Sequence, residues 1–136
     1  MLSARAGISA LTVNAPSAFG LYTATIDAYL AVLAQMPAQA SDVALTRELS
    51  AYVRFVNAKE QAGRERATIN AVVTADTVLD DAVYRRLLGI LTTQELFLRQ
   101  FQEQASPASR QALDALLATP AAQDTATMRK RVLERV

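Results

Sequence analysis

The residues most able to do chemistry lie in VNAKEQAGRERATINAV, residues 56–72, where charges and a glycine interrupt an apolar helix pattern. At about 100° per residue, Glu60 falls near the centre of the stripe set by Leu49, Val53 and Val56, beside Gly63 and Ala67. Arg64 lies toward one edge of that stripe and Lys59 and Arg66 toward the other, while Asn70 returns to the same face. A bare carboxylate on a buried face is costly, so Glu60 calls for a positive partner or hydrogen-bond donors. Arg64, one turn on, can supply that along the same helix, a pairing worth a few tenths of a kcal/mol when exposed. Gly63 costs about 1 kcal/mol relative to alanine in a helix interior, which fits close approach of another backbone or room for a small ligand.

Gln94 repeats the pattern at the centre of a second stripe, between Leu91 and Leu98, where an amide needs both donors and acceptors. The simplest expectation is a polar layer joining Glu60, Gln94, Asn70 and one or both arginines. Such a layer can serve to fix helix register. It can also form an anion site, because arginine presents a planar fork of donors suited to nitrate, carboxylate or phosphate.

Composition removes other chemistries. The chain has no cysteine and no histidine, which excludes zinc sites built on them, thiol nucleophiles and histidine-based triads. A net charge of +1 argues against a broad nucleic-acid surface. No glycine-rich phosphate loop is present, and no cofactor is expected. Glu60 is the one candidate for acid–base work, and neighbouring arginines favour its ionised form, so the chain reads as a non-enzyme. Tyr22, Tyr29, Tyr52 and Tyr84 sit at stripe positions and read as core.

The elements that must hold these residues are helices. Hydrophobic residues are 51% of the 136, largely alanine and leucine, with 4 glycines and 4 prolines. Residues 1–14 read as an arm or short helix. Pro16 suits a first helical turn, and Tyr22, Ile26, Tyr29, Leu33 and Met36 recur at helical spacing up to Pro37. Ser41 or Asp42 caps a long helix over 43–74, and Thr77 with Asp80 signals the start of a third helix over 78–104. Val83, Tyr84, Leu87, Leu91, Leu98 and Phe101 share its face. Ser106 and Pro107 open a shorter helix carrying Leu113, Leu116 and Leu117, which Thr119 and Pro120 end. A last helix or extension over 124–136 is capped by Asp124 or Thr125.

Short connections predict antiparallel neighbours, hence an all-α, up-and-down four-helix bundle over 15–118 with a short fifth helix, in a single domain. No run approaches the roughly 18 to 20 apolar residues that span a bilayer, and MLSARAGISALTV is too weak for a signal peptide. The chain as given therefore reads as soluble, either cytoplasmic or cut from something larger.

AKEQAGRERA, residues 58–67, resembles the central signature of the NIT family, the nitrate- and nitrite-sensing domains of bacterial receptors. That signature has the form A-K-E-x-x-G-x-x-R-A, matched here by Ala58, Lys59, Glu60, Gly63, Arg66 and Ala67. YTATIDAYLAVL (22–33) is similar to the family's tyrosine-led helix, ELSAYVRFVNAKE (48–60) to its run into the signature, and LTTQELFLRQF (91–101) to its glutamine-containing helix. The likeness covers roughly residues 18–135. It implies an all-helical sensor that binds nitrate or nitrite between arginines and feeds chemoreceptors, sensor kinases or antitermination regulators. Arg66 is then the signature arginine, and a late-helix arginine corresponds to Arg129 in TATMRKRV.

The family's first helix carries an arginine-glycine motif, to which ARAGISA (4–10) is similar with a spacing off by one residue. The chain is thus expected to correspond to the C-terminal half of such a domain. The expected ligand residues are Arg66, Arg64, Glu60, Gly63 and Arg129, with no metal. The expected partners are nitrate or nitrite, a second copy and an output domain in a longer chain, with no nucleic acid. The resemblance implies the extracytoplasmic side of the inner membrane as part of a receptor, or the cytoplasm in a soluble regulator. The other reading is a structural bundle for dimerisation or partner binding, without a ligand.

Overall fold

A computed structural model describes residues 2–74 and 79–134, with side chains from residue 5 onward. It is all-helical: among the described residues the elements are α1 (Leu2–Ser9), α2 (Ala15–Leu33), a 3-10 turn (Met36–Gln39), α3 (Val43–Thr74), α4 (Asp81–Gln104), α5 (Pro107–Leu117) and α6 (Pro120–Glu134). The chain divides into two compact units, Met1–Met36 and Pro37–Val136.

In the first unit, α1 closes with paired end bonds: Thr12 N donates to Gly7 O at 2.9 Å and Leu11 N to Ile8 O at 3.0 Å. This is the Schellman arrangement, which places its turning residue in the left-handed region, and Leu11 sits there at φ 56° where glycine is usual. Gly7 fits close packing here, since a Cβ on it would lie 2.9 Å from Val13 Cγ2 and the valine side chain would have to shift. Asn14 then caps α2, its Oδ1 accepting from Ser17 N at 2.9 Å, with Pro16 in the first turn as expected. The tyrosine-led stripe departs from expectation. No residue of α2 is buried, and Tyr22, Ile26, Tyr29 and Met36 are exposed, Tyr29 by 66%.

The absence of a membrane-length apolar segment is also corrected. Ala15–Gln39, 25 residues with a mean hydropathy of 1.3 in its best window, is long and apolar enough to cross a membrane by length and composition. Alanine and threonine interleave with its larger side chains, so no contiguous run announces it, yet Asp27 is its one charged residue.

In the second unit, Asp42 rather than Ser41 caps α3, accepting from Leu45 N at 2.8 Å. Asp80 caps α4, accepting from Val83 N at 2.8 Å, so this helix begins at Asp81. The part of that capping signal assigned to Thr77 lies outside the described residues. The pairs Phe55 with Phe101 and Glu65 with Gln94 show that α3 and α4 run antiparallel.

Each of the two helices contributes a seam at seven-residue spacing: Ala51, Ala58 and Glu65 on α3, and Leu87, Gln94 and Phe101 on α4, all buried. Of the large apolar residues expected on the α3 stripe, Val53 is buried, Leu49 and Val56 are half-buried and Tyr52 is exposed, while small Ala51 and Ala58 are inside. Leu113 of α5 closes a core with Ala51, Phe101 and Ala105, against which Phe55 and Leu98 pack.

Ser106 caps α5, and Glu48 of α3 accepts from Ser106 N at 2.9 Å, tying the new helix to the hairpin. Leu116 and Leu117, the other leucines of this helix's apolar set, are exposed. Pro120 begins α6 rather than merely ending α5: Thr119 Oγ1 accepts from Ala122 N at 3.4 Å, and a first-turn proline loses no helical bond. Asp124 and Thr125 therefore lie inside α6 and do not cap it.

Candidate functional site

The polar layer exists, with different members from those expected. Glu65, 5% exposed, replaces Glu60 at its centre. Arg129 of α6 grips it with a two-pronged fork: Nε donates to Oε1 at 2.6 Å and Nη2 to Oε2 at 2.7 Å. Gln94 braces both, its Oε1 accepting from Arg129 Nη2 at 3.1 Å and its Nε2 donating to Glu65 Oε2 at 3.4 Å. The Glu65 side chain is 6% exposed and that of Arg129 30%, so the carboxylate sits inside while the guanidinium reaches it from the rim. Two parallel charge-assisted bonds are the strong form of this pairing. Gln94 was legible in the sequence as the odd amide in an apolar stripe. Glu65 was not, although its seven-residue spacing from Ala58 and Ala51 marks the same seam.

The signature residues sit elsewhere on α3. Glu60 lies five positions before Glu65, which turns it about 140° around the helix. There Glu60 pairs with Arg64, Oε1 accepting from Nε at 3.0 Å, with side chains 16% and 22% exposed. Arg66, Lys59 and Asn70 are exposed, so Asn70 does not join the layer. An added Cβ on Gly63 would meet nothing within 4 Å. No other backbone presses on this glycine, which leaves open space as the remaining explanation of its place. Of the five residues expected to bind a ligand, Glu60 and Arg64 are brought into contact, while Arg129 is committed to Glu65 and Gln94, neither of which was in that group.

An open, mainly apolar groove of about 460 Å³ lies nearer the start of α3, between Tyr52, Phe55, Phe101 and Leu116. Its carboxylate, Glu48, is taken up by Ser106 N and, at 3.5 Å, by Ser109 Oγ. The groove offers no arginine and does not include the signature.

Neither a curated protein nor a solved structure matches this chain. A family model described as nitrate and nitrite sensing matches residues 2–136. That span extends the likeness read from the signature, which began near residue 18, back through α1 with its Arg5 and Gly7. With the signature on α3, its glutamine helix behind it and the match running over almost every residue, the chain belongs to the nitrate- and nitrite-sensing family.

Proposed function

We propose that the chain is a signal-input module that binds nitrate or nitrite and relays binding through helix packing to an output domain. The observation that carries this reading is the family match, with the signature intact over Ala58–Ala67. Arg66 is the leading ligand residue, its guanidinium open to solvent on α3, about 60° around the helix from the open space at Gly63. Arg64, Glu60, Gly63 and Arg129 complete the proposed set. The chemistry is recognition of a planar oxyanion by guanidinium forks, without catalysis.

The up-and-down four-helix bundle belongs to this proposal, supported by the antiparallel α3–α4 pair. So do a homodimer, an output domain in a longer chain and a place on the extracytoplasmic side of the inner membrane. The apolar Ala15–Gln39 segment is compatible with membrane attachment.

Thermal unfolding with nitrate, nitrite, chloride and sulfate at matched ionic strength tests the reading, with Arg66→Ala alongside. Ligand at 100 times its Kd stabilises the native state by about 2.7 kcal/mol. A nitrate- or nitrite-selective shift that disappears in Arg66→Ala is the expected result. Equal shifts for all four salts would count against it.

The second reading, a bundle that dimerises or holds a partner without a ligand, is favoured by one observation: the apolar face of α2 buries no residue. Sedimentation of the chain across a concentration series, with and without nitrate, separates the two.

A further inference from the structure

We propose that Glu65 is the resident occupant of the inner, Nε–Nη2 edge of Arg129, so that an oxyanion takes that edge only by displacing Glu65, and that this displacement undocks α6. The inference rests on the sensing reading above, and adds to it a threshold and a moving part. Three observations lead to it.

First, that edge is full. Nε and Nη2, the inner edge of the guanidinium and one of the pairs of parallel donors with which an arginine meets a planar anion, are both taken by Glu65, and Nη2 is shared with Gln94. Nitrate and nitrite present the same O–N–O edge that a carboxylate presents as O–C–O, so they compete for this geometry rather than adding to it.

Second, α6 has little else to hold it. Among the described residues it buries none, and its Met128 is exposed. Arg129 is its polar anchor on the α3–α4 hairpin, where it meets one side chain from each of the other two helices.

Third, Glu65 cannot give up its partner in place. It is buried, and a buried carboxylate stripped of its cation and set beside a second anion is strongly unfavourable. The relief open to it is movement of α6 away from the hairpin, which admits water to Glu65. Anion capture and α6 position are thereby linked, each biasing the other by the same free energy. Glu65 acts here as a positioning residue: it orients Arg129 and sets the anion concentration at which α6 lets go.

The test uses the full 136-residue chain, which has no cysteine of its own. Nitroxide labels at exposed Ala62→Cys on α3 and Ala126→Cys on α6 report their separation, and calorimetric titration with sodium nitrate reports affinity. Glu65→Gln keeps the shape but removes the competing charge and one of the two acceptor oxygens, so Arg129 can no longer be met at both prongs. The expected result is a nitrate Kd about tenfold lower in Glu65→Gln than in the native sequence, with nitrate broadening and lengthening the α3–α6 separation in the latter. Equal affinity in the two chains, both clearly binding nitrate, overturns the gate and leaves the sensing reading standing. Nitrate binding to neither chain overturns both. Should Glu65→Gln fail to fold, the labelled native sequence decides alone: an unchanged separation under nitrate that raises its melting temperature overturns the proposal.

Discussion

Two faces of the same two turns of α3 treat charge in opposite ways. On one, Glu65 is buried in the α3–α4 seam and depends on a fork that arrives from another helix, 64 residues along the chain. On the other, Glu60 meets Arg64 one turn away on its own helix, while Arg66, which lies on neither face, stands open to solvent. The first arrangement exists only when three helices are assembled. The second needs α3 alone. Local pairs of the second kind are weak and survive rearrangement, so they suit a surface that must stay competent for a ligand. A buried fork is expensive to break and therefore suits a position that must be held or released as a whole.

Substitutions can break or sharpen this contrast, and they fall in a clear order. Phe101→Ala empties the seam beside Phe55 and should cost about 4 kcal/mol in urea unfolding, setting the scale of the buried face. Arg129→Ala leaves Glu65 without its cation. It should cost about 3 kcal/mol, the low end for a broken buried pair, because the guanidinium is 30% exposed. Hydrogen exchange should locate the loss in α6.

Gly63→Ala works in the opposite direction. The added methyl meets open space, so the helix should gain up to about 1 kcal/mol in thermal stability. If that space admits the anion, the nitrate-dependent shift should shrink in the same variant. Glu60→Gln should change stability least, by about 0.5 kcal/mol or less in a denaturant titration. A cost for Glu60→Gln equal to that of Arg129→Ala would erase the difference between the two faces.

Much of this was legible in the residues. Two starts followed from chemistry that acts within a few residues: Asp42 and Ser106 each accept from a backbone N–H three positions on. Asn14 and Asp80 cap their helices in the same way, but the first was not singled out and the second was read as the partner of Thr77 in a helix starting at 78. Gln94 announced itself because an amide among leucines has no local reason to be there. The centre of α3 was harder. Its seam is built from Ala51 and Ala58, which carry too little apolar surface to stand out against Leu49, Val53 and Val56, so the stripe was read turned around the helix and Glu65 was passed over. Pro120 was read as a stop when it is a start, since the same residue suits both.

The sequence by itself determined that the chain is helical, that Ser106 opens a helix and that one of Ser41 and Asp42 caps another, that cysteine and histidine chemistry is excluded, and that residues 58–67 carry the family signature. These depend on neighbours along the chain or on residue types alone. Only the tertiary structure decided which carboxylate is buried, which arginine reaches it, and that the tyrosine-led face of α2 stays exposed. Each of those turns on which helix faces lie against one another, and a rotation of one residue, about 100°, exchanges a buried position for an open one.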